Sequence, residues 1–112
     1  MVETFAALAE PTRFRIVELL RAGPRSVNDI GDRLQLNQPQ VSKHLRVLRE
    51  VGLVEVRDRG RQRMYRLNSR PLKPIFDWVK SFERTWNERF DALDDVLEDL
   101  KAEEKRDAGK RD

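Results

Sequence analysis

At Gly52 the spacing of apolar residues changes, and this change restricts the fold more than any other feature of the chain. Ahead of it, Val41, Leu45 and Leu48 recur at steps of four and three, the period of one helical face. Behind it, Val54 and Val56 alternate with Glu55 and Arg57, and Tyr65 and Leu67 alternate with Met64 and Arg66. That is the period of a half-buried strand. Between the two alternating runs, Asp58-Arg59-Gly60-Arg61-Gln62 reads as the glycine-bearing turn of a β-hairpin. Gly52 itself suits the left-handed position that closes a helix.

Upstream, the residues that start and stop helices are legible. Val2, Phe5 and Leu8 recur at steps of three and predict a brief first helix. Pro11 suits the first turn of a second helix, whose buried face is Ile16, Val17, Leu19 and Leu20 and which Gly23-Pro24 ends. Ser26 followed by Asp29 resembles a capping box and opens a third helix over 26–34, with Val27, Ile30 and Leu34 as its stripe. Gln35-Leu36-Asn37 then makes a three-residue turn. Asn37 is a favourable N-cap and Pro39 falls in the tolerated first turn of a fourth helix over about 38–51. Helix, short turn, helix and hairpin in this order predict a winged helix-turn-helix: a mainly α chain with a small β-hairpin, about five helices and a two-stranded wing.

The last helix has a different character. Over 72–100 the residues Leu72, Ile75, Val79, Phe82, Trp86, Phe90, Leu93, Leu97 and Leu100 fall in one narrow stripe, and no glycine or proline interrupts 75–100. As one helix this stretch would span about 43 Å, longer than so small a domain can cover. A narrow aromatic-rich seam of that length fits a second copy of the chain. The expected dimer interface is Phe5, Leu8, Val79, Phe82, Trp86, Phe90, Leu93 and Leu97. Residues 1–100 then form a single domain with a dimerising final helix, and 101–112 a charged tail without regular structure.

Charge and composition narrow the function. Apolar and charged residues each make up 38% of the 112 residues, so the core is thin and a partner subunit is the natural source of further burial. Residues 1–70 carry 14 Lys/Arg against 8 Asp/Glu, whereas 71–112 carry 9 against 12. A basic body suggests a polyanionic partner. The absence of cysteine rules out disulfides, thiolate metal sites and cysteine nucleophiles. With one histidine, no P-loop and no dinucleotide fingerprint, the chain has no catalytic constellation, and neither a cofactor nor a metal is expected. Nothing near the start reads as a membrane span or signal peptide, so a cytoplasmic protein is expected.

A helix that buries Val41, Leu45 and Leu48 turns its other side to solvent, and that side is rich in groups able to read duplex DNA. Gln38, Gln40, Ser42, Lys43, His44, Arg46 and Arg49 are the candidates. Glutamine pairs with adenine and Arg or Lys with guanine, while His44 lies at the edge of the buried arc and suits a structural or phosphate-contacting role. In the hairpin, six arginines fall within fourteen residues that hold one acid, Asp58. Arg57, Arg59, Arg61 and Arg63 are the candidate phosphate contacts. The alternative is a winged-helix module whose basic hairpin and long helix dock other proteins.

Three segments resemble the ArsR family of winged-helix transcriptional regulators. They are Leu8-Ala9-Glu10-Pro11-Thr12-Arg13-Phe14-Arg15-Ile16, Gln38-Pro39-Gln40-Val41-Ser42-Lys43-His44-Leu45 and Leu48-Arg49-Glu50-Val51-Gly52-Leu53-Val54, with Tyr65-Arg66-Leu67 as the returning strand. The resemblance covers residues 5–68. It implies a homodimer, joined through its first and last helices, that binds an inverted repeat and usually represses. Two departures stand out. The family's metal sensors carry a cysteine pair in the third helix or carboxylate and histidine ligands in the last. Here 26–31 hold no thiol, and Asp91, Asp94, Asp95, Glu98 and Asp99 have no histidine beside them, so arsenic- or zinc-type sensing is not expected and any effector is unknown. Gln35 also stands where many relatives have a turn glycine.

Overall fold

The computed structural model describes residues 1–110, apart from the side chains of 90–97, 99 and 106–110. The chain falls into two compact units, residues 1–76 and 77–112.

In the first unit, α1 (Val2–Leu8) and α2 (Pro11–Leu20) are joined by a tight corner that both sides of the junction cap. The Glu10 carboxylate accepts the Arg13 N–H at 2.7 Å and so caps α2. In return Arg13 Nε donates to Ala7 O at 2.7 Å, satisfying a carbonyl at the end of α1. A two-residue strand β1 (Arg25–Ser26) follows, then α3 (Val27–Leu34) and α4 (Gln38–Glu50). Ser26 Oγ caps α3 by accepting the Asp29 N–H at 3.1 Å. The Asp29 carboxylate does not complete the expected box; it accepts from Arg25 and Arg33 instead.

The turn between α3 and α4 is built by two residues. Leu36 N–H returns to Gly31 O at 2.9 Å, with Gln35 left-handed at φ 57°, ψ 49°. This is a Schellman closure made with glutamine where glycine is usual. Gly31 is needed for a different reason: a Cβ there would stand 2.8 Å from Leu36 O, part of the turn's own backbone.

Beyond Gly52, β2 (Val54–Arg59) and β3 (Gln62–Leu67) pair antiparallel, from Val54 opposite Leu67 to Arg59 opposite Gln62. The expected five-residue loop is therefore only Gly60-Arg61, and its outer residues belong to the strands. Gly60 at φ 63° supplies the positive angle that a two-residue hairpin needs at its first position. β1 adds to β3 on its other side, Arg25 opposite Tyr65, so the two-stranded wing gains a third strand at its base. Ile16, Val17, Leu20, Ile30, Val41, Leu45, Leu48, Leu53, Val54 and Tyr65 form one buried cluster beneath the helices and the root of the hairpin.

The expectation of one helix over 72–100 is corrected. A 3₁₀ turn (Arg70–Leu72) leads into α5 (Lys73–Lys80), and a separate α6 (Glu83–Lys110) follows. Ser81 makes the break. Its hydroxyl donates to Trp78 O at 2.5 Å, and its N–H reaches Asp77 O and Trp78 O at 3.0 and 3.2 Å. Phe82 N–H then bonds three residues back to Val79 O, so the spiral tightens before α6 resumes. Downstream, the tail expected to lack regular structure is helical through Lys110. Among the described residues, no helix is long and apolar enough to cross a membrane.

Candidate nucleic-acid interface

The sequence of α4 divides its surface. Val41, Leu45 and Leu48 are buried in the core, while Gln38, Gln40, Ser42, Lys43, Arg46 and Arg49 are exposed. The geometry brings these six together on one thirteen-residue helix and gives them unequal freedom. No hydrogen bond or ion pair holds the side chains of Gln38, Ser42, Lys43 or Arg49 among the described residues. Arg46 lies 3.4 Å from Glu50 in an exposed pair one turn along the helix, a contact too solvated to hold it strongly.

Gln40 is engaged. Its Oε1 accepts the Asn37 N–H at 3.0 Å while Asn37 Oδ1 accepts the Gln40 N–H at 2.9 Å, a complete capping box at the start of α4. The Asn-x-x-Gln spacing is the sequence signal for this role.

His44 does not join the exposed group. Its side chain is 16% exposed and its Nδ1 lies 3.7 Å from Glu10 Oε2, at the cap of α2. That nitrogen is buried, and among the described residues nothing hydrogen-bonds it. Of the two roles expected for His44, this position between α4 and α2 favours the structural one, because the residue sits where the helix turns inward. Glu10 is held below the usual carboxylate range first by the Arg13 N–H, with the Thr12 N–H, His44 and Arg13 adding to it.

On the wing, register separates the arginines. Arg66 is bound across the strands, its Nη2 and Nε donating to Glu55 Oε2 at 2.7 and 2.9 Å, and this pairing keeps the Glu55 carboxyl below its ordinary range. Arg63 stands 3.6 Å from Asp58, its cross-strand neighbour. Arg57, Arg59 and Arg61 are exposed, and their side chains have no hydrogen bond or ion pair among the described residues. A solvated run of like charges with so few acids nearby favours an anion over any group of its own chain.

Of the residues expected at a dimer interface, Phe5, Phe82 and Trp86 are exposed at 39%, 39% and 40%. Leu8 and Val79 are half-buried, and Phe90, Leu93 and Leu97 lie outside the described side chains. Within the second unit, the rings of Trp78 and Phe82 meet edge-on at 5.2 Å, and those of Phe82 and Trp86 stack at 6.2 Å. Trp78 was absent from the expected stripe because it lies one residue off that stripe's period, yet it is four residues from Phe82. Among the described residues, no group of three or more His, Cys, Asp or Glu side chains is placed to hold a metal ion.

Comparison with known proteins places this geometry. A helix-turn-helix domain family matches residues 8–57, from the end of α1 into β2. The transcriptional repressor SdpR of Bacillus subtilis is 29% identical over 73% of this chain and 91% of its own length. A crystal structure described as a possible transcriptional regulator for arsenical resistance is 40% identical, covers 79% of this chain and 88% of that one, and superposes with a TM-score of 0.62. An ArsR-like transcriptional regulator from Rhodococcus sp. RHA1 covers 85% of this chain and 90% of its own, with 28% identity and a TM-score of 0.67. The chain belongs to the ArsR family. As a member of this family of helix-turn-helix transcriptional regulators, it uses α3 and α4 as the motif and β2–β3 as the wing. Of several other curated transcriptional regulators that it matches, the chain spans 54 to 64% of the length.

Proposed function

We propose that this chain is a transcriptional repressor that binds an inverted-repeat operator as a homodimer. The observation that carries the reading is the two-sidedness of α4. One face is locked into the core by Val41, Leu45 and Leu48, and the other offers Gln38, Ser42, Lys43, Arg46 and Arg49 to the surroundings. A helix so mounted enters a major groove as a rigid body, and its side chains reach base edges without reorganising the fold. Arg57, Arg59 and Arg61 would add contacts to flanking phosphates or the minor groove, contributing affinity without sequence information. Arg63, already near Asp58, would contribute less. Repression follows the relatives that are themselves described as repressors.

A second copy of the chain would cover Phe5, Leu8, Val79, Phe82 and Trp86, joined by Phe90, Leu93 and Leu97. Exposed aromatic rings in a ladder are costly in water, and a dimer presents two reading helices to two half-sites. The deciding experiment is a titration of the full chain with duplex DNA at several salt concentrations. Saturable binding whose logarithm falls linearly with log salt is expected, with a slope of roughly 0.9 per neutralised phosphate. Absence of saturable binding to any duplex at low salt would refute the reading.

A further inference from the structure

We propose that Gln40 reads DNA as a hydrogen-bond donor only, so that its position in each half-site takes guanine rather than adenine. The proposal rests on the duplex-binding reading above and refines it to one base. A glutamine that selects adenine presents its amide edge-on, Nε2 donating to N7 while Oε1 accepts from N6. In this chain Oε1 is oriented elsewhere, since it accepts the Asn37 N–H at 3.0 Å. The oxygen is turned back toward the start of α4, which leaves the Nε2 hydrogens as the free end of an exposed side chain.

Its oxygen keeps a second lone pair, but to present Oε1 beside Nε2 in the plane of an adenine the amide would have to turn out of the capping box. The Asn37 N–H would then lose its partner at a helix start that has no intrahelical acceptor to replace it. Guanine makes no such demand, because its major-groove edge offers N7 and O6, both acceptors. The neighbouring side chains push the same way. Lys43, Arg46 and Arg49 carry donors and no acceptor, and the one exposed carboxylate of α4, Glu50, lies at its far end beside Arg46.

The test is selection of duplexes from a random pool by the full-length chain, its Gln40→Glu variant and its Gln40→Ala variant. Glutamate serves this cap position as well as glutamine does. It keeps the acceptor for Asn37 and replaces the donor by a second acceptor, so thermal melting should stay near that of the parent chain. Alanine removes the cap and should lower the melting temperature. One position per half-site should read guanine in the parent, shift to cytosine in Gln40→Glu because a carboxylate accepts from cytosine N4, and become degenerate in Gln40→Ala. A preference of about fivefold or more is expected in the first two. Adenine at that position in the parent, or base preferences that move in neither variant, would overturn the proposal. A parent pool with no enrichment at all would remove the duplex reading, and this proposal with it.

Discussion

Gly31 and Gln35 sit four residues apart in the same turn and ask opposite things of a side chain. At Gly31 there is no room: an added Cβ would press on Leu36 O at 2.8 Å, and a carbonyl fixed in a turn cannot swing aside as a flexible side chain can. Gly31→Ala should therefore destabilise the fold by about 1–3 kcal/mol, as overpacking does elsewhere, read by urea denaturation. At Gln35 the difficulty is conformational, because an L side chain is held at φ 57°. Gln35→Gly should stabilise by up to about 1 kcal/mol in the same assay, the left-handed strain relieved less the greater freedom of the unfolded glycine. Shifts of the same sign in both variants would mean the α3–α4 turn is not built as described. The family resemblance marks position 35 as one for glycine, and the backbone agrees. The close approach at Gly31 has no local sequence signature, since it depends on where the chain lies five residues later.

Among the elements, those whose boundaries are written in capping residues and apolar spacing were legible. α1 to α4 begin and end within a residue or so of expectation because Pro11, Ser26, Asn37 and Gly52 act locally. β1 was not legible, because two residues carry no period and its pairing partner lies some forty residues away. The break at Ser81 was hidden for another reason: a serine leaves hydrophobic periodicity untouched and acts through one hydroxyl on one carbonyl. On the wing, the excess of arginine was plain in the sequence, but which of them are free was decided by register. Arg61, at the turn and unpaired among the described residues, is the cleanest probe of the wing's task. Arg61→Ala should weaken binding to all duplexes alike and reduce the salt slope by about one. A change in base preference with an unaltered slope would assign the wing a reading role instead.

For the molecule as a whole, the basic excess of residues 1–70 and the acidic excess of 71–112 suit the proposed division between DNA contact and self-association. The aromatic ladder of the second unit is where the proposed association can be tested. Trp86→Glu places a charge within the Phe82–Trp86 stack. In sedimentation it should convert a dimer to monomers, and in DNA titration it should abolish the high-affinity phase by separating two half-site readers. A sedimentation profile identical to that of the parent would count against the proposed seam.

The root of the wing is tied twice. Asn68 N–H donates to Leu53 O at 2.8 Å, and Asn68 Nδ2 donates to Gly52 O at 2.9 Å. One residue thus fastens the outgoing end of the hairpin to the residues where it leaves α4. At the far end, Gly60 and Arg61 are exposed, and no Cβ built on Gly60 would meet another atom within 4 Å. The hairpin is consequently built as a cantilever, clamped at one end and expected to be compliant at the other. Amide hydrogen exchange should show this as a gradient, slow at Leu53 and Asn68 and faster toward Gly60, and uniform protection along both strands would contradict it. In the proposed complex, a cantilever of this kind would let the arginine-bearing tip follow the varying width of a groove, while the anchoring of α4 stays undisturbed.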